Sequence, residues 1–75
     1  MHVIFYTKPG CHLCDDAEAM MKLAQEDFPL TWSTVNIETD DESHEKYMLM
    51  IPVIEKDGEV LLYGQIGYAD LIELF

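Results

Sequence analysis

Tyr6-Thr7-Lys8-Pro9-Gly10-Cys11-His12-Leu13-Cys14 is the stretch on which the reading of this chain turns. The apolar run Val3-Ile4-Phe5-Tyr6 ahead of it reads as a buried strand. Pro9-Gly10 turns the chain, and the pattern after Leu13 is helical. Both cysteines therefore fall where a strand gives way to a helix. Cys11 lies at or just before the helix N-terminus, where unpaired N–H groups and the positive end of the helix dipole favour a thiolate, the nucleophile of thiol–disulfide exchange. Cys14 follows about one turn later on the same face, within reach of a disulfide to Cys11.

Working outward, strand one runs from about His2 to Thr7 and lacks a clean alternation, as expected of a strand covered on both faces. The first helix is predicted over about His12 to Asp27. Its apolar stripe is Leu13, Ala17, Met20, Met21 and Ala24, with Leu23 on the flank and Asp15, Glu18, Lys22 and Gln25 opposite. Phe28-Pro29 should stop it, because the residue before proline leaves the α region. Leu30 to Ile37 is rich in β-branched and aromatic residues and reads as strand two. Two strands joined through a helix make a parallel, right-handed βαβ unit the economical topology. Asp40 or Asp41 is placed to cap a short helix reaching about Met48. Met50 to Ile54 opens a third strand, with Pro52 confined by its missing N–H to the start or an edge. Asp57-Gly58 is a two-residue hairpin turn into Glu59 to Tyr63. A loop, Gly64 to Gly67, precedes a closing helix over Tyr68 to Phe75. The predicted order is β-α-β-α-β-β-α.

Composition bounds what the cysteines can mean. The chain has 75 residues, 49% of them apolar, enough for one core, and residues 1-75 are expected to form one domain. Such a chain buries only roughly 60% of its unfolded surface, so its stability should be modest. No apolar span approaches the length of a membrane helix, and the Val3 to Tyr6 run is too short for a secretory signal. A soluble cytoplasmic protein with no membrane partner is the expectation. In that reducing compartment a cysteine pair is more often catalytic or metal-binding than structural. Fifteen carboxylates stand against four lysines and no arginine, for a net charge of −11. No basic groove for a phosphate backbone is available, which excludes nucleic acid as the expected partner. An acidic face suits a partner with a basic patch, and it also serves simply as a solubilising surface.

Three motifs in this order, Tyr6-Thr7-Lys8-Pro9-Gly10-Cys11-x-x-Cys14, Ile51-Pro52-Val53 and Gly64-x-x-Gly67-Tyr68-Ala69-Asp70-Leu71, give the chain a resemblance over nearly its whole length. It resembles the glutaredoxin branch of the thioredoxin superfamily. The resemblance implies an α/β, thioredoxin-like fold with a four-stranded mixed sheet flanked by three helices. It also implies a dithiol–disulfide oxidoreductase and a cis peptide bond before Pro52, beside the cysteines. Cys11 is then the nucleophile and Cys14 the resolving thiol.

Around that pair, Lys8 is placed to favour the thiolate or meet a substrate carboxylate. His12 would lower the Cys11 pKa as a cation or as an N–H donor. Asp15 and Asp16 act in the opposite sense. Ile51, Pro52, Tyr68 and Asp70 complete the expected substrate surface. His12 and Leu13 occupy places where family members commonly have proline and an aromatic residue. Gly67-Tyr68 stands where glutathione users often have two glycines. The electron source is accordingly open between glutathione, as a co-substrate, and thioredoxin reductase. The expected partner is a disulfide-containing protein client of a monomeric carrier, with no bound cofactor and no metal. A non-catalytic thiol or metal-binding module, or an adaptor retaining the fold, is the alternative. Two cysteines make only half a zinc or iron–sulfur site, so metal binding would require dimerisation or outside ligands.

Overall fold

A computed structural model describes residues 1–75. The elements are β1 (His2–Thr7), α1 (His12–Gln25), β2 (Thr31–Asn36), a turn of 3-10 helix (Ile37–Thr39), α2 (Asp41–Tyr47), β3 (Val53–Lys56), β4 (Glu59–Tyr63) and α3 (Tyr68–Ile72). The sheet order is β2-β1-β3-β4. β1 and β2 are parallel, while β1 with β3 and β3 with β4 are antiparallel. This is the expected four-stranded mixed sheet with three helices. The β3–β4 turn has positive φ at both Asp57 (52°) and Gly58 (81°), the geometry that a two-residue hairpin of matching twist requires.

Val53 and Ile54 are consecutive in β3, so they face opposite sides of the sheet, and each seeds a different core. Ile54 joins Val3, Phe5, Cys14, Ala17, Met21, Ala24, Leu30, Ile66 and Leu71 beneath α1 and α3. Val53 joins Ile37 and Tyr47 beneath α2. The second layer is thin for a simple reason. α2 has seven residues and is about 10 Å long, against roughly 20 Å for a six-residue strand. β1 therefore alternates after all. Val3 and Phe5 are fully buried, while Ile4 and Tyr6 on the α2 side are only half-buried.

Several boundaries move. α1 ends at Gln25, since the N–H groups of Asp27 and Phe28 both turn back to the Ala24 carbonyl (3.1 and 2.9 Å) before Pro29 is reached. Its buried stripe is Cys14, Ala17, Met21 and Ala24. Leu13, expected in that stripe, is 44% exposed, because holding Cys14 inward rotates its neighbour about 100° out. β2 loses Ile37 to the 3-10 turn, where the Asn36 side chain accepts the Glu38 N–H at 2.9 Å. Asp40 is the cap of α2, accepting from Glu42 N–H (3.3 Å) and from the Ser43 hydroxyl (2.6 Å). That hydroxyl holds the Asp40 carboxyl below its ordinary value, with the backbone N–H groups as lesser causes.

β3 starts at Val53 rather than Met50. The N–H groups of Met50 and Ile51 are bonded to the Tyr47 carbonyl (2.8 and 3.1 Å) and are unavailable to the sheet. α3 is a short helix ending at Ile72, beyond which Leu74 and Phe75 make tighter turn bonds to Leu71 and Ile72. No helix is long and apolar enough to cross a membrane.

Candidate functional site

At the C-terminal end of β1 the chain leaves the sheet through Lys8, Pro9 and Gly10, all exposed. Gly10 takes φ 78°, a left-handed conformation that glycine adopts without steric cost. Cys11 is then the N-cap of α1 in extended geometry, and its Sγ accepts the Cys14 N–H at 3.1 Å. A cysteine sulfur thus occupies the place a serine or aspartate oxygen takes in an ordinary cap.

Cys11 and Cys14 form a disulfide, with Cα atoms 5.2 Å apart. The two sulfurs are not equivalent. Cys14 is 1% exposed and part of the main core, whereas Cys11 is half-buried at its rim. An incoming sulfur meets Cys11 first. On reduction, the Cys14 N–H and the helix dipole face Cys11 and stabilise negative charge there.

Ile51-Pro52 is a cis peptide bond, as the resemblance implies. Pro52 is buried, and its carbonyl accepts the Gly64 N–H at 2.9 Å; that N–H also reaches the Met50 carbonyl at 3.1 Å. The loop before β3 and the loop after β4 are thereby tied together. Ile51 and Tyr68, both half-buried, pack on the same core as the disulfide. Cys11, Ile51 and Tyr68 thus all pack against the core that contains Cys14.

Lys8 and His12 flank the disulfide in sequence and are exposed. The one ion pair in the chain joins Lys22 to Glu18 (3.4 Å), so Lys8 has no carboxylate partner. Asp70 is exposed, and one of its oxygens accepts the Gly67 N–H at 2.8 Å, capping α3. Its nearest task is therefore local. His, Cys, Asp and Glu side chains nowhere gather in threes close enough to hold a metal ion.

On the opposite face of the sheet lies a group that the sequence reading missed. Glu55 is only 8% exposed. The Tyr47 hydroxyl donates to one of its carboxylate oxygens and the Tyr6 hydroxyl to the other, the latter at 3.4 Å. The two rings pack with centroids 4.7 Å apart, and the Lys46 ammonium lies 5.1 Å from the Tyr47 centroid. Burial, then the hydrogen bond and charge of Glu55, push the Tyr47 hydroxyl up from 10.0 to about 12. Tyr6 is raised as well, by burial first and Glu55 second. The available signal was a carboxylate directly after Val53-Ile54 in a four-residue strand, at a position facing inward.

Comparison with known proteins adds to this geometry. A family described as a glutaredoxin-like domain (DUF836) matches residues 2–75. No curated protein matches the chain in sequence. Among solved structures, a structural genomics target protein from X. campestris is 24% identical, covering 96% of this chain and 92% of its own, with a TM-score of 0.81. Thioredoxin-2, a component of the malaria parasite's protein secretion machinery, is 18% identical over 97% of this chain and 78% of its own (TM-score 0.68). Thioredoxin 1 from Thermosipho africanus is 9% identical over 97% of this chain and 88% of its own (TM-score 0.66). Identities this low show a shared fold.

Proposed function

The chain belongs to the glutaredoxin-like domain family, and from that premise we propose that it is a thiol–disulfide oxidoreductase working through Cys11 and Cys14. The observation that carries the reading is the asymmetry of the pair: a half-exposed sulfur capping α1, bonded to one that is 1% exposed. In the reduced protein the Cys11 thiolate attacks one sulfur of a substrate disulfide. A mixed disulfide forms and one substrate thiolate leaves. Cys14 then loses its proton to solvent and attacks Cys11 Sγ, releasing the second substrate thiolate and restoring the Cys11–Cys14 disulfide. Two electrons pass to the substrate, and an upstream dithiol or glutathione returns them.

The substrate is a protein disulfide or a glutathione mixed disulfide on a protein, met by Cys11 and contacted by Lys8, Ile51, Pro52 and Tyr68. Glutathione and thioredoxin reductase are the two candidate electron sources. The protein acts as a monomer in a reducing cytoplasm and needs no bound cofactor.

Trapping tests the assignment. Cys14→Ser should accumulate mixed disulfides with Cys11, seen by mass spectrometry, and Cys11→Ser should abolish disulfide reduction. Trapping by Cys11→Ser instead would reverse the roles. Trapping by neither, with no turnover in the wild type, would sink the redox reading. NADPH consumption coupled in parallel to glutathione with glutathione reductase, and to thioredoxin reductase, identifies the reductant.

A further inference from the structure

Glu55 is the one buried charged side chain of the fold, and no step of the disulfide exchange uses it. Its two oxygens take hydroxyls from two other elements, Tyr47 at the end of α2 and, at 3.4 Å, Tyr6 near the end of β1. Tyr47 is in turn the only buried residue of α2, so that short helix is held to the sheet by one side chain. A ring held by apolar packing alone is free to slide and turn. A hydroxyl bonded to a buried carboxylate fixes both its depth and its direction.

What Tyr47 holds next is the segment that follows it. Its carbonyl accepts the N–H groups of Met50 (2.8 Å) and Ile51 (3.1 Å), and the Met50 and Pro52 carbonyls share the Gly64 N–H (3.1 and 2.9 Å). Ile51 packs on both cores, one of which contains Cys14 and is also packed by Cys11. The register sets this segment at the cysteine end of the sheet. Tyr6 pairs with Val53 across the antiparallel β1–β3 ladder. The chain running on from Tyr6 to Cys11 and the chain coming in through Ile51 and Pro52 to Val53 therefore meet the sheet at the same end. Glu55 lies two residues further into β3, on the same face as Val53.

Resting on the redox reading, we propose that Glu55 and Tyr47 are positioning residues for the exchange. The bond between them holds Ile51 and Pro52 where a peptide flanking the substrate disulfide meets them while Cys11 attacks. Neither side chain touches the reacting sulfurs. Without the bond the segment shifts, and a peptide loses alignment that a small disulfide meeting Cys11 alone never uses. The buried carboxylate thereby has a reason. An apolar pair of the same volume would hold α2 without the cost of desolvating a charge, but also without the fixed direction.

The test compares second-order rate constants for oxidation of the reduced protein by two probes, a small aromatic disulfide and the disulfide-linked dimer of a short alanine peptide with a central cysteine. Every variant is assayed at a temperature where circular dichroism shows it folded. Tyr47→Phe and Glu55→Met should each lower the peptide constant roughly ten-fold and the small-disulfide constant by less than about two-fold. Glu55→Gln keeps an acceptor for Tyr47 and should restore most of the peptide rate. Alkylation of Cys11 by iodoacetamide should keep its pH profile in all three, since the surroundings of the sulfur are unchanged. Lost stability alone lowers neither constant in the folded protein. Equal losses on the two probes, no loss on either, or a displaced Cys11 profile in Tyr47→Phe overturns the positioning role alone. So does a Tyr6→Phe loss as large as that of Tyr47→Phe, because the Met50 and Ile51 N–H groups both go to Tyr47. Failure of the wild type on both probes overturns the redox reading and this proposal with it.

Discussion

Removing one oxygen, in Tyr47→Phe, should be among the most destabilising conservative changes available in this chain. The Glu55 carboxylate is 8% exposed and held by two hydroxyls, Tyr47 and, at 3.4 Å, Tyr6. Without the Tyr47 hydroxyl, the longer bond alone remains to a charge that water hardly reaches. Hydrogen bonds to charged groups contribute about 1.5–3 kcal/mol, and an orphaned buried charge pushes toward the upper end. A chain of 75 residues has a total stability of roughly 4–11 kcal/mol, so the loss is a large fraction of it. At about 4–8 °C per kcal/mol for a domain this small, the variant should melt about 10 °C or more below the wild type.

The assay is urea unfolding followed by circular dichroism for Tyr47→Phe, Glu55→Met and the double variant. The double variant should be destabilised by less than the sum of the singles, because with both partners apolar no charge is left unsatisfied. Additive losses, or a Tyr47→Phe cost under about 0.5 kcal/mol, would refute the reasoning and mean that Glu55 is hydrated in solution.

The same bond makes a pH prediction. Tyr47 is raised in the folded state from 10.0 to about 12, so its contribution is fully present below about pH 10 and is lost as pH rises through 12. Urea midpoints across that range should fall more steeply for the wild type than for Tyr47→Phe. In the site loop, Gly10→Ala should cost about 1–2 kcal/mol through its φ of 78° alone, since an added Cβ meets nothing within 4 Å. Gly67→Ala, with φ −97° and an ordinary 3.4 Å contact to Asp70, should be close to neutral in the same denaturation experiment.

What was legible in the sequence is what depends on local rules. Pro9-Gly10 before a helical pattern placed Cys11 at a helix start, and Asp57-Gly58 placed a hairpin; both hold. The rotation of α1 was not legible. Leu13 and Cys14 are both apolar, and it is the packing of Ala17, Met21 and Ala24, which share a face with Cys14, that goes with the inward one. The depth of the α2 layer was hidden for a similar reason. Strand one reads as apolar on both faces, but the seven residues of α2 leave half of one face open, a matter of helix length against strand length. Glu55 shows the limit most clearly. A carboxylate in a strand reads as an outward residue until two tyrosines, one from β1 and one from α2, are seen to cover it. Leu49 is the mirror case, an apolar residue left in solvent by hydrogen bonds that commit its neighbours Met50 and Ile51 to Tyr47.

Tyr47 links those two cases. Its hydroxyl is fixed on Glu55, and its carbonyl takes the N–H groups of Met50 and Ile51, so one residue fastens both α2 to the sheet and the cis-proline loop to α2. Cys11 has a similar double engagement. On the proposed oxidoreductase reading, its sulfur is both the reactive atom and the acceptor that caps α1. A thiolate is a stronger acceptor than a disulfide sulfur, so reduction strengthens the cap at the same moment that it arms the nucleophile. On that reading the helix favours the form that attacks, while the cis-proline loop is held through Tyr47 by the polar cluster with Glu55.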